Sequence, residues 1–140
     1  MKTVEDIESY LMRAGLPYEA VQPGLWLVQL GDYGRLAVSM AGPVLAFRIK
    51  VLDVPAQGRE ELFRTLLQLN TTEMVHGAFG IEGEAIVLVD ALELENLDFN
   101  EFQSVLDDMS MAVTKHHPNL TRFLDVRSTS TPAPLAPRAR

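Results

Sequence analysis

Four groups of residues in this sequence have the types and spacing from which chemistry is built. Residues 90–101 begin with Asp90 and end with Glu101, twelve positions that frame a calcium loop. The third and fifth positions would be Leu92 and Leu94, and the sixth is Glu95 where the turn needs glycine. The stretch therefore reads as a strand end followed by a helix cap. Gly77, Gly80 and Gly83 recur at every third residue, the texture of a phosphate-cradling loop. No Gly-Lys-Ser/Thr follows and no helix opens there, so strand entry and a hairpin turn account for them. His116 and His117, with Asp107 or Asp108 a turn or two earlier, suggest a metal site. Adjacent helical side chains point about 100° apart, which leaves two neighbouring histidines poorly aimed at one ion and better read as a solvated helix end.

The fourth group is Glu82, Glu84 and Asp90, which flank one hairpin as an acid and base would. Charges at hairpin ends are ordinarily just solvated. There is no GxSxG or HExxH, and His76 is the single histidine away from the helix end. The chain has no cysteine, which excludes disulfides, thiolate ligands and a thiol nucleophile. No catalytic constellation converges, so the expectation is a protein that is not an enzyme and holds no cofactor and no metal.

The elements around these residues are clearly written. A first helix begins at Thr3, with Asp6 completing a capping box; Ile7, Leu11 and Ala14 share a face and Gly15 is the stop. Strands are expected over 18–22, 25–30, 35–41 and 44–52, joined by turns at 31–34 and 41–43 that force antiparallel neighbours. A second helix runs from Arg59 to Leu69, with Leu62, Leu66 and Leu69 in one row and Phe63 and Leu67 in the next, and Asn70-Thr71-Thr72 is expected to stop it. Residues 78–92 read as two strands folded at Glu82-Gly83-Glu84. A last helix extends from about Asp98 to His117, with Asp98 and Glu101 as capping box, Phe102, Val105, Leu106, Met109 and Val113 as buried stripe, and Pro118 as terminator.

The fold class is thus α+β: an antiparallel sheet of five to six strands with three helices, in the order α-β-β-β-β-α-β-β-α. At 140 residues the chain is expected to hold one domain over 1–124 and a flexible tail over 125–140, where Ser, Thr, Pro, Ala and Arg dominate. Hydrophobic residues make up 47% of the chain, enough for a core, and no run approaches the roughly 20 apolar residues of a membrane helix. Neither a signal peptide nor a membrane partner is read, and the expected setting is the cytoplasm.

Net charge is −7, divided as −9 over residues 1–124 and +2 over the tail, which carries Arg127, Arg138 and Arg140. An acidic body repels a phosphate backbone, so direct nucleic-acid binding by it is disfavoured and a neutral or basic protein partner is favoured.

The strands at 25–30 and 86–89 lack a polar face: Trp26, Val28 and Leu30 alternate with Leu25 and Leu27, and Ile86, Val87, Leu88 and Val89 are apolar throughout. Such strands are either central and shielded by the three helices alone or in need of further cover from a second copy or a client; three helices do not easily cover both faces of a sheet, which favours the second. Leu69-Asn70 at the helix end, Phe79-Gly80-Ile81 followed by Val87-Leu88, and Leu97-Asp98-Phe99 opening the last helix make residues 3 to 120 similar to the YbjN family and the related type III secretion chaperones. That resemblance implies a homodimer that binds proteins and does no chemistry; the proline- and arginine-bearing tail departs from it. The expected function is a chaperone-like or regulatory module that captures a partner segment at a sheet edge or an apolar groove, with Trp26, Val28, Leu62, Leu66, Leu69, Ile86 and Leu88 as the partner or dimer interface. The alternative is a small-molecule sensor with an apolar pocket under the helices. Each histidine, carboxylate and apolar row named above makes a distinct demand on tertiary structure.

Overall fold

Thr3 and Asp6 start the fold as their spacing predicts. Thr3 Oγ1 accepts from the Asp6 N–H at 3.2 Å and Asp6 Oδ2 accepts from the Thr3 N–H at 2.9 Å, opening α1 (Val4–Ala14). These bonds from Thr3 hold the Asp6 carboxyl below its usual 3.8. A lowered acid stabilises the fold above its ordinary value, so the cap is whole near neutrality and is lost as pH falls through the lowered value. Gly15 ends α1 at φ +80°, where a side chain would be strained. The computed structural model describes residues 1–124; the expected tail, 125–140, lies outside the described residues.

Four strands follow as a meander: β1 (Tyr18–Gln22), β2 (Leu25–Gln29), β3 (Arg35–Ala41) and β4 (Val44–Asp53). The chain leaves the sheet through α2 (Arg59–Thr72), returns as the edge strand β5 (Ala78–Glu82) and folds back as β6 (Ala85–Glu93), which slots between β4 and β5. The six strands are antiparallel in the order β1-β2-β3-β4-β6-β5. Helix α3 (Phe99–Leu120) closes the structure, its capping box formed by Asp98 and Glu101.

Register decides which face each residue serves. Trp26, Val38, Phe47 and Asp90 stand in one cross-strand row, and Ile49, Leu88 and Phe79 in another. These rows face the helices. Phe47 meets Phe102 of α3 at 6.0 Å between ring centres, Tyr10 of α1 meets Phe102 at 5.6 Å, and the Trp26 indole donates to Glu8 of α1 at 3.2 Å. A bulge between Lys50 and Leu52 turns both Val51 and Leu52 inward. The opposite face carries Leu27, Ala37, Ala46, Val87 and Val89. Of these Val87 is buried, on the side where the Arg48–Glu82 ion pair reaches from β4 to β5 across β6.

Two helix ends differ from expectation. Asn70, Thr71 and Thr72 do not stop α2, because each side chain finds a partner while the backbone stays helical: Thr71 and Thr72 donate back to the carbonyls of Leu67 and Gln68 at 3.1 and 2.9 Å, and Asn70 reaches β5. Pro118 does not stop α3 at His117. Burial of Leu120 and Phe123 against the core carries the chain on past the one hydrogen bond that proline cannot donate.

Candidate interaction surface

The chemistry-bearing residues do not converge. Asp90 lies in β6 and Glu101 serves the cap of α3, so the twelve-residue frame spans two elements. Glu82 pairs with Arg48 and Glu84 approaches Arg59 at 3.9 Å, while Asp90 turns toward the helices with one oxygen on the Ala91 N–H. Gly77 serves the backbone. At φ +88° a Cβ there would stand 3.0 Å from the Val89 carbonyl, so only glycine suits this entry into β5. The histidines are rearranged relative to expectation. His116 is not a solvated helix end but the one polar side chain classed as buried among the described residues, 7% exposed, and His117 packs on Tyr33 at 5.1 Å. Asp108 pairs with His76 rather than with either of them. Among the described residues no group of three or more His, Asp or Glu is placed to hold a metal ion, and no helix is long and apolar enough to cross a membrane.

Of the seven residues expected at an interface, the chain covers six itself. Trp26, Val28, Leu62, Ile86 and Leu88 are 0% exposed and Leu66 is nearly so, while Leu69 is half-buried against the same core. They bind the helices to the sheet of one chain. For the strand residues the reason is the register: the apolar face of β2 and β6 that carries Trp26, Val28, Ile86 and Leu88 is the face beneath α1 and α3. The spacing in the sequence marks these residues as a set but does not say which cover they receive.

The apolar surface that stays open lies on α2, one residue along from Leu66, and on the edge strand β5. Leu67 is 66% exposed on the outer side of α2 and Ile81 is 55% exposed on β5, with half-buried Phe63 between core and solvent. Together with Leu66, Phe79 and Gly80 they line a cleft of about 350 Å³ between α2 and the sheet edge. On the outer side of α2 the same Phe63 and Leu67 lie in a wider trough of about 770 Å³, flanked by Glu60 and Arg64. These concavities lie outside and beside α2, not beneath the helices where a sensor pocket was expected. In the sequence the signal is Leu67 itself, a large apolar residue in the polar row Glu60, Arg64, Thr71.

An edge strand exposes peptide groups that invite pairing. Here Asn70 closes part of the edge: its Nδ2 donates to the Phe79 carbonyl at 3.0 Å and its Oδ1 accepts from the Phe79 N–H at 2.8 Å. One carboxamide thus imitates a strand partner and ties α2 to β5. Asn70→Ala removes both bonds and leaves two peptide groups without them; urea unfolding is expected to show a loss of about 1–3 kcal/mol. Asn70→Asp keeps only the acceptor and is expected to fall between.

Behind the cleft, the Phe79 and His116 rings stand edge to face with 6.2 Å between ring centres. Residues 73–77, which join α2 to β5, are fastened to α3 by Lys115 donating to Glu73 at 2.6 Å and by the His76–Asp108 pair. Burial, and secondarily Lys115, lower the proton affinity of His116 below its usual 6.5, and Glu73 opposes this.

The architecture is a six-stranded antiparallel sheet with helices on one face and an apolar helix–strand corner at its edge. The chain belongs to the type III secretion chaperone family whose model is CesT_Tir_1, which matches residues 1–125. Its fold is similar to a chain of the heterodimeric ExoU–SpcU complex from the type III secretion system of Pseudomonas aeruginosa, with TM-score 0.66 at 16% identity over 80% of this chain and 95% of that one. It is similar too to YbjN of E. coli, a candidate transcription regulator, with TM-score 0.65 at 10% identity over 84% and 93%. No curated protein sequence matches the chain.

Proposed function

We propose that this protein is a non-enzymatic, chaperone-like module that associates with a second copy of itself and receives an extended segment of a partner protein. One observation carries the reading: a ridge of Phe63, Leu67 and Ile81 stays open beside a sheet edge that Asn70 has already closed at Phe79. A partner at this corner therefore gains affinity by covering side chains rather than by adding a strand at Phe79.

The corner suits a second copy because its charges complement themselves. Glu60 and Arg64 flank the ridge and lie 3.8 Å apart. Two α2 helices laid antiparallel about a two-fold axis bring the Arg64 of each toward the Glu60 of the other, with Phe63 beside the axis and Leu67 covered one turn along. The client is placed on the uncovered sheet face, where Leu27, Ala37, Ala46 and Val89 offer a shallow apolar floor. The ExoU–SpcU complex, a chaperone-fold chain with a second protein, supports a client of this kind, and the −9 body favours a neutral or basic one.

Light scattering over a range of concentrations tests self-association: a mass of twice 15.6 kDa is expected, and 15.6 kDa throughout overturns it. Photo-crosslinkers separate the two surfaces. One at position 67 is expected to capture the second copy, and one at position 27 a different protein from native lysate. Capture of the second copy at position 27 would reverse the assignment of the faces.

A further inference from the structure

Phe79 belongs to two neighbourhoods. It is a wall of the cleft with Phe63, Leu67 and Ile81, and it is the ring against which His116 is buried. The strand that carries it is held to α2 by Asn70 and entered through residues 73–77, which are clamped on α3 by the Lys115–Glu73 ion pair and the His76–Asp108 hydrogen bond. One imidazole thus lies directly behind the surface proposed for self-association.

We propose that His116, Phe79 and residues 73–77 form a proton-operated latch, in which protonation of His116 unseats Phe79 and lets the α2–β5 corner open. The groups around His116 explain why a charge on the ring has no partner where the ring now sits. On its own helix stand Asp108, already paired with His76, and Lys115, a like charge; His117 turns away to Tyr33. From the end of α2 comes Glu73, engaged by Lys115. From the sheet comes Asp90, placed beside Gly77: its Cβ is 3.8 Å from where a Cβ on Gly77 would lie, its Oδ1 holds the Ala91 N–H, and its buried Oδ2 has no hydrogen-bond partner among the described residues. A protonated ring must leave its seat against Phe79, toward the unpartnered Asp90 Oδ2 beside Gly77, or draw Glu73 from Lys115, and either change disturbs residues 73–77.

The sign is set by which form the fold prefers. The folded state keeps His116 neutral, with an affinity below the 6.5 of a free imidazole. The unfolded or opened state then binds the proton more readily, so the closed corner is stable above 6.5 and loses stability as pH falls below it. The regulatory half of the proposal rests on the reading of the corner as the self-association surface; the motion itself does not.

The absence of cysteine makes the test direct. Glu61→Cys on α2 and Ser104→Cys on α3, both exposed positions, give two spin-label sites in the full chain. Dilution into excess unlabelled protein makes each distance report within one chain. A narrow distribution is expected at about pH 7.5, and a longer, broader one at about pH 5.5, with the midpoint below that of a free imidazole. His116→Leu is expected to hold the narrow distribution at both pH values, and His117→Gln to behave as the parent does. An unchanged distribution in the parent, or a transition that survives in His116→Leu, overturns the latch. If His116→Leu does not fold, the imidazole resonances of the parent decide. Titration of His116 at or above 6.5, or with no coincident shift at Phe79, overturns it as well. Light scattering at the same two pH values keeps the readings apart: an opened corner with an unchanged dimer overturns only the regulatory link.

Discussion

Leu67→Asp is expected to yield a monomer at concentrations where the parent is a dimer, with the folded chain intact. Two features of this position produce the effect. In the single chain Leu67 is 66% exposed, so a carboxylate there stays hydrated and urea unfolding of the monomer should move by no more than about 0.5 kcal/mol. In the proposed pair it lies under the partner's α2, beyond Phe63 from the two-fold axis, where a carboxylate would be buried without a partner. Loss of a central apolar anchor costs about 2–4 kcal/mol, or roughly 30- to 1,000-fold in dissociation constant. Sedimentation or light scattering reads it. Ile81→Asp should act in the same direction, and Arg64→Glu should weaken association until Glu60→Arg is added to restore the complementary pair. A Leu67→Asp protein that dimerises as tightly as its parent removes α2 from the interface.

Trp26→Ala is expected to destabilise the chain itself by about 3–5 kcal/mol, whatever its state of association. Trp26 is fully buried between Val38 of β3 and the α1 helix, in the row that continues through Phe47, and its indole N–H is held by Glu8. Truncation leaves a cavity in the central layer and takes away the donor that anchors α1. Urea unfolding followed by circular dichroism measures the loss; a cost under about 1 kcal/mol would mean that α1 does not seal the sheet there. The pair of substitutions also separates two kinds of failure. Leu88→Asp, aimed at a residue with no exposed surface, should abolish assembly by unfolding the chain, whereas Leu67→Asp should abolish it in a folded one.

Much of the architecture was legible because the signals are local. Thr3 with Asp6, Asp98 with Glu101, Gly15 and the turn at Gly83 act through bonds within three or four residues or through the conformation of one glycine, and each stands where its spacing put it. The helix ends expected at Leu69 and His117 differ from the structure for the opposite reason. Asn70 turned out to be occupied by a strand nine residues away, and Pro118 was overruled by apolar residues beyond it.

The seven proposed contact residues mark the same boundary between local and tertiary information. Alternation along β2 and β6 identifies Trp26, Val28, Ile86 and Leu88 as one apolar set, but a period of two is silent on which face the helices will take. That was decided when α1 and α3 crossed the sheet on the Trp26 and Leu88 side, which left Leu67 and Ile81 open at the edge. The histidines followed a similar course. Their neighbours in sequence suggested solvent or a metal, while long-range packing set His116 behind Phe79 and paired His76 with Asp108 across thirty-two positions.

By itself the sequence determined the order and kind of the elements, the acidic body and the scarcity of converging polar groups, since these rest on spacing and composition. The tertiary structure alone decided which apolar residues are core and which remain open, because burial depends on what crosses above a face, and that is not encoded in the residues of the face alone.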